Sequence, residues 1–235
     1  MFAITPQMMS NFFNSISKFI ILLSIILIVV AGVLIIFLEN DYYQGISFKI
    51  MFIHVPAAWL SLMIFVSMGI SSIIGLIFKS PTSFTISRSL SPVGLIMSIM
   101  VLITGSIWGN LTWGTYWVWD ARLTSMLILA FIYLGHLFLL YSFEHFQKAD
   151  FAASILAIIG MVNIPIVKFS VDWWTTLHQG SSVFKVSGPS MTTDYLITLM
   201  VSFFAILLLS FYWFTNIFYI ITENRRIERA KLLND

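Results

Sequence analysis

Long apolar runs dominate the chain, and short polar segments separate them. Six of these runs approach or exceed the roughly 20 residues that a helix needs to cross a bilayer. They cover residues 19–38, 52–78, 90–108, 123–143, 151–169 and 195–222. The pattern therefore predicts an all-α, polytopic membrane protein in which residues 1–235 form a single domain of six transmembrane helices.

The composition supports a membrane setting. The chain is 59% hydrophobic and only 9% charged, with a mean hydropathy of +0.96, whereas soluble domains carry about 25% charged residues. The net charge of +2 gives no reason to expect a nucleic-acid partner. The first apolar run is too long for a signal-peptide core, so we expect it to be retained as a span.

The chain contains no cysteine. This excludes disulfides, thiolate catalysis, iron–sulfur clusters and covalent attachment of haem through cysteine. We therefore expect any haem that the chain carries to be bound without a covalent link.

Basic residues are divided unequally between the two sides of the predicted membrane domain. The side with both termini carries Lys18, Lys79, Arg88, Lys148, Arg225, Arg226, Arg229 and Lys231. The other side carries Lys49, Arg122, Lys168 and Lys185. Because basic residues collect on the cytoplasmic side, we expect both termini to be cytoplasmic and the segments 39–51, 109–122 and 172–194 to be extracytoplasmic.

The predicted loop at 109–122 has an unusual density of aromatic residues. Its candidate binding residues are Trp113, Trp117, Trp119, Asp120 and Arg122. Such a segment suits a large planar ligand that carries carboxylates, with the arginine paired to one of them. An interfacial aromatic belt and a local ion pair between Asp120 and Arg122 are the simpler alternatives.

Two of the four histidines lie on the same predicted side as this loop. His54 opens the second span and His178 lies in the last extracytoplasmic segment. Neutral imidazoles are good ligands for haem iron, so the pair is a candidate set of axial ligands. A lone histidine at an interface is more commonly solvated or hydrogen-bonded. We expect His136 to bond to a neighbouring helix and His145 to be solvated.

The motifs around these residues resemble those of a known family. Residues 113–125, WGTYWVWDARLTS, resemble the tryptophan-rich signature of the haem-handling proteins of cytochrome c biogenesis. His54-Val55-Pro56-Ala57-Ala58 and Leu177-His178-Gln179-Gly180 resemble the two histidine motifs of the haem exporter protein C family, also called cytochrome c maturation protein C. Tyr116 stands where many relatives have Trp, which leaves the aromatic surface intact.

The resemblance implies more than the residues do by themselves. It implies that haem b binds at the extracytoplasmic face, with His54 and His178 as its axial ligands. It implies transfer of haem to a periplasmic haem chaperone, cytochrome c maturation protein E. It also implies association with an ATP-binding-cassette ATPase, its membrane subunit and a small single-span subunit in the bacterial inner membrane, or in the mitochondrial inner membrane if the protein is organellar.

Two other functions compete with haem delivery, which is not an enzymatic activity. A membrane b-type cytochrome would transfer electrons, but such proteins place histidine pairs within helices so that haems stack across the bilayer. A transporter subunit without a cofactor would need intramembrane charges or broken helices around a midplane site. The sequence shows little of either feature.

Overall fold

The computed structural model describes residues 5–178, 180, 182, 183, 185 and 188–232, with only the backbone of 231 and 232. This part of the chain contains helices and no strand. The helices are α1 (Pro6–Phe37), a 3-10 helix (Ile46–Ile50), α2 (Met51–Phe78), α3 (Pro81–Trp113), α4 (Ala121–Tyr141), α5 (Phe146–Gly160), α6 (Asn163–Trp173) and α7 (Thr193–Leu232).

Six helical segments are long and apolar enough to cross a membrane, which confirms the predicted number of spans. The fifth consists of two helices, because α5 and α6 meet at a break around 161–162. The Asn163 amide, just after the break, donates to the Ser125 carbonyl of α4 at 2.9 Å. This side-chain bond holds the interrupted span against its neighbour.

Several predicted boundaries were wrong because polar residues continue the helices beyond the apolar runs. Residues 81–89, predicted as a loop, form the start of α3, where Ser80 accepts from the Ser83 backbone N–H. The hydroxyls of Thr85 and Ser89 donate to carbonyls one turn earlier, so these polar side chains are satisfied inside the helix. At its other end α3 includes 109–113, so the predicted loop at 109–122 is reduced to 114–120.

The outer ends of the first and last spans also lie beyond the apolar runs. The first helix starts at Pro6 rather than near residue 19, with Thr5 as its N-cap and proline in the first turn. The last helix runs on to Leu232, ten residues beyond the end of the apolar run at 222. Helix α1 packs mainly along α7, and α2 packs mainly along α3.

One end of the bundle is held by a buried ionic cluster. Arg88 was predicted to be a loop residue, but its side chain is 7% exposed and contacts the Asp150 carboxylate at 2.9 Å. Arg225 contacts the other oxygen of the same carboxylate at 2.6 Å. The Phe146 ring lies against both guanidinium groups. This cluster ties α3, α5 and α7 together at the end that carries both termini.

Candidate functional site

His54 lies in the first turn of α2, at the opposite end of the bundle, and its ring contacts α3. The Nδ1 atom of His54 is 2.9 Å from Thr104 Oγ1. The Thr104 hydroxyl donates to the Met100 carbonyl at 2.6 Å, so its oxygen must accept the proton of His54. Nδ1 therefore carries the ring proton, and Nε2 keeps a lone pair that can coordinate a metal.

Two further residues of α3 fix the position of this imidazole. A Cβ atom at Gly105 would lie 2.9 Å from Cε1 of His54, so the ring uses the space that the missing side chain leaves. The Trp108 ring meets His54 edge to face at 5.7 Å between centroids. The Trp108 indole is itself anchored, because it donates to the Gln44 side chain at 2.8 Å.

His178 follows α6 in the last loop at this end, and its side chain is 22% exposed. Its ring lies edge to face with Trp113, with 4.9 Å between centroids. Burial and then the positive charge of Arg122 lower the pKa of His178 to about 4, against an opposing effect of Asp120. The imidazole is therefore neutral at pH 7, the form that binds metals.

The two carboxylate oxygens of Asp120 face different neighbours. Oδ1 accepts from the Leu123 backbone N–H at 2.8 Å, which makes Asp120 the N-cap of α4. Oδ2 lies 3.8 Å from Nδ1 of His178. Both of these atoms are buried, and neither has a hydrogen-bond partner among the described residues. A small shift would join them and leave Nε2 of His178 with a free lone pair, as in carboxylate–histidine–metal arrangements.

The tryptophan-rich loop begins where Gly114 ends α3. Gly114 has a φ of 75°, a left-handed conformation that glycine adopts without strain. Farther on, the rings of Trp117 and Trp119 meet edge to face at 5.5 Å. Trp119 is 76% exposed, whereas the indole nitrogen of Trp117 is buried and has no hydrogen-bond partner in the part of the chain that the structure describes. The loop thus presents one aromatic ring outward and leaves one indole donor facing inward.

Arg122 lies in the first turn of α4 and is half-buried. The local ion pair with Asp120 considered from the sequence does not form, since the salt bridges of the described residues include none with Arg122. The carboxylates of Asp120 and Asp172 act on it only through their electrostatic field. Its guanidinium group is therefore available to a ligand carboxylate.

The two histidines share one helix as their support. Trp108, which contacts His54, and Trp113, which contacts His178, lie five residues apart on α3. Each imidazole is thus held against a tryptophan near the same end of α3. The fold thus brings together two residues that are more than a hundred positions apart in the sequence.

Sequence reasoning missed the residues that support His54. Thr104 and Trp108 are one turn apart on α3, just upstream of the tryptophan-rich segment. The available signal was the continuity of the third span with the tryptophan-rich segment, since α3 runs on to Trp113. The last turns of that span were therefore also candidates for the site. Gln179, which belongs to the second histidine motif, lies outside the described residues.

The other two histidines behave as predicted. His136 is buried, and its Nδ1 lies 3.0 Å from Ser91 Oγ on α3, which confirms a helix–helix hydrogen bond. His145 is exposed, in the turn before α5.

The two imidazoles of His54 and His178 suit only some kinds of metal-containing ligand. In the described part of the chain, no three or more His, Cys, Asp or Glu side chains are grouped so that they could hold a bare metal ion. Two imidazoles instead suit a metal that arrives with its own in-plane ligands, as iron does in haem. The aromatic rings and the unpaired Arg122 match the apolar face and the carboxylates of such a group.

Fold and site together define a multi-pass membrane protein with a two-histidine aromatic site at one end of its bundle. The sequence profile of the family described as Heme exporter protein C matches residues 1–232. The chain belongs to this family.

Individual relatives agree with this assignment. The chain is 46% identical over 170 residues to Heme exporter protein C of Bradyrhizobium diazoefficiens, covering 72% of this chain and 65% of that protein. It therefore spans slightly less than two thirds of that relative's length. It is 44% identical over 175 residues to Heme exporter protein C of Escherichia coli K12, covering 74% and 70% of the two chains. It is 46% identical over 188 residues to a ccmC-like mitochondrial protein of cytochrome c biosynthesis from Marchantia polymorpha, covering 80% and 77%.

Proposed function

We propose that this protein binds haem b without a covalent link and delivers it to a periplasmic haem chaperone for the maturation of c-type cytochromes. The observation that carries the proposal is the pairing of His54 and His178 at one end of the bundle, each against a tryptophan of α3. The family membership supports haem as the ligand, since the relatives are named as heme exporter proteins.

In this proposal each site residue makes a different contact with haem. Nε2 of His54 and of His178 are the axial donors, with Thr104 and Asp120 behind the two rings. Arg122 pairs with a propionate, which is a charge-assisted contact. Trp113, Trp117 and Trp119 cover apolar porphyrin surface, and each well-placed ring contributes about 2–3 kcal/mol.

We place this site on the extracytoplasmic side of the membrane, with both termini in the cytoplasm. The excess of basic residues at the end that carries the termini supports this orientation. On this view residues 1–235 form one membrane domain in the bacterial inner membrane. The mitochondrial relative from Marchantia polymorpha supports the corresponding inner membrane if the protein is organellar.

The partners we propose follow from the family rather than from a described interface. They are the chaperone cytochrome c maturation protein E, an ATP-binding-cassette ATPase, its membrane subunit and a small single-span subunit. In this assembly the protein acts as a carrier of haem and not as an enzyme. On this view the loop that carries the exposed Trp119 ring also presents the edge of the bound haem to the acceptor chaperone.

An absorbance spectrum of the purified protein in detergent tests the ligands. We expect a six-coordinate b-type haem that acidified organic solvent extracts, because no cysteine holds it. His54→Ala and His178→Ala should each weaken binding or change the spectrum, whereas His145→Ala should not. An unchanged six-coordinate spectrum in the double variant would eliminate the pair.

A transfer assay tests delivery separately from binding. Replacing Trp117 and Trp119 with Ala should lower the amount of haem-loaded chaperone more than it lowers the amount of this protein in the membrane. The control replaces Tyr42 and Tyr43, which are 91% and 90% exposed in the 39–45 segment before the 3-10 helix. Equal effects of the two double variants would reduce the tryptophan-rich loop to an interfacial belt. Haem binding without any transfer would favour an electron-transfer cytochrome.

A further inference from the structure

A cleft of about 330 Å³ lies at the end of the bundle opposite the histidines, where α1, α3 and α7 meet. Its walls include Gln7, Pro81, Arg225, Arg226 and Arg229. Of the described residues that line it, none is acidic. The function proposed above makes no use of this cleft.

The three arginines of the cleft are only partly neutralised. Arg225 contacts Asp150, yet its buried Nε atom has no hydrogen-bond partner within residues 5–178 and 188–230. Arg226 is 70% exposed and reaches Glu223 at 3.2 Å, a contact that contributes little at a surface. Arg229 is exposed and has no ion pair among the described residues. The cleft therefore carries an excess of positive charge.

Two helix N-termini add to this positive potential. Helix α1 begins at Pro6 and helix α3 at Pro81, and both residues line the cleft. Each N-terminus carries the positive end of a helix dipole, an arrangement that favours anions and phosphate groups in particular. Arg225 is held against the start of α3, because its guanidinium also donates to the Pro81 carbonyl at 3.5 Å.

The position of the cleft indicates the source of the anion. Thr222, which also lines it, is the last residue of the sixth apolar run, and the polar tail of α7 begins directly after it. The end of an apolar run marks the boundary between hydrocarbon and water, where the phosphates of phospholipids lie. Basic residues at this boundary attract anionic headgroups.

We propose that the cleft is a phosphate-binding site that takes the headgroup of an anionic phospholipid. The arginine side chains and the two helix N-termini surround the phosphate, while the acyl chains follow the apolar surfaces of α1 and α7. Bound lipid would fasten the first helix to the last at the end where both termini lie. The proposal does not depend on haem.

The test compares the full chain in nanodiscs of phosphatidylcholine with the same chain in mixtures of phosphatidylcholine and phosphatidylglycerol. Lipid retention is read by native mass spectrometry after release, and stability is read by the thermal midpoint. The test variant carries Arg226→Gln and Arg229→Gln, which spares the Arg225 contact with Asp150. The control carries Lys18→Gln and Lys148→Gln, two exposed residues outside the cleft with the same loss of charge. A third arm adds inorganic phosphate to the phosphatidylcholine sample.

We expect the wild type and the control to retain phosphatidylglycerol and to be stabilised by it. The arginine variant should bind it about 25-fold more weakly, since each of the two lost basic residues contributes about fivefold in affinity at a membrane surface. Equal loss in the control and in the arginine variant would overturn the proposal, because general surface charge would then explain the binding. Stabilisation by inorganic phosphate alone, without an effect of phosphatidylglycerol, would assign the cleft to a soluble anion and overturn its role in lipid binding.

Discussion

The imidazole of His54 donates its Nδ1 proton to Thr104 Oγ1 across 2.9 Å, although the two residues are 50 positions apart. The Thr104 hydrogen is already committed to the Met100 carbonyl. This one contact decides which ring nitrogen of His54 is free to coordinate iron. Changes to this contact should therefore change the affinity of the proposed site for haem.

Two substitutions of Thr104 should separate the effect of its hydroxyl group on haem affinity from the effect of its side-chain size. Thr104→Val keeps the shape but removes the acceptor, so His54 loses the bond that holds its tautomer. We expect haem affinity to fall about 10- to 100-fold, the usual effect of removing such a supporting contact. Thr104→Ser should retain near-normal affinity. Haem titration followed by absorbance makes the measurement, and equal affinities for Val and Ser would contradict the assignment.

Gly105 should be intolerant of a side chain for a steric reason. An added Cβ would come within 2.9 Å of the His54 ring, and it would push the imidazole away from its present position. We therefore expect Gly105→Ala to change the haem spectrum or weaken binding. Gly32→Ala is the matched control, since no atom lies within 4 Å of a Cβ at that helical position. Identical spectra for the two variants would show that the ring has room to move.

Asp120 should show two separable roles. Asp120→Asn keeps an N-cap acceptor for α4 but removes the negative charge beside His178, so it should weaken haem binding and leave stability nearly unchanged. Asp120→Ala also removes the cap, which typically costs about 1 kcal/mol. Unfolding in mixed detergent micelles and haem titration measure the two effects. A loss of stability in the Asn variant as large as in the Ala variant would remove the distinction.

His178 should make the stability of the haem-free protein depend on pH. The pKa of His178 is lowered from 6.5 to about 4 in the folded chain, mainly by burial and secondly by Arg122. Between these values the unfolded chain binds a proton at His178 that the folded chain does not. Stability should therefore fall as the pH falls from 6.5 towards 4, by up to about 3 kcal/mol, and should not change above 6.5 on account of this residue.

The measurement for this effect is a difference between two proteins. His178→Gln lacks the titrating group, so its unfolding free energy should decline less over the same pH range. Subtracting the two curves removes the contributions of all other groups. Parallel curves for the wild type and His178→Gln would mean that His178 titrates alike in the folded and unfolded states.

The sequence by itself determined the number of spans and the helical class, and it named some of the candidate site's residues. Six apolar runs of about 20 residues each favour transmembrane helices, because a helix satisfies its own backbone hydrogen bonds in hydrocarbon. Helix order then places His54, residues 113–122 and His178 at one end, since successive spans alternate in direction. These inferences need only composition and length, which are local properties of the chain.

Only the tertiary structure decided which atoms face each other at that end. Thr104 and Gly105 look like ordinary residues of an apolar span until α3 packs on α2 and brings them to His54. Arg88 likewise looks like a loop charge until Asp150 and Arg225 meet it from two other helices. Such contacts join residues far apart in the sequence, and no local pattern encodes them, because they depend on how whole helices are rotated and shifted against one another.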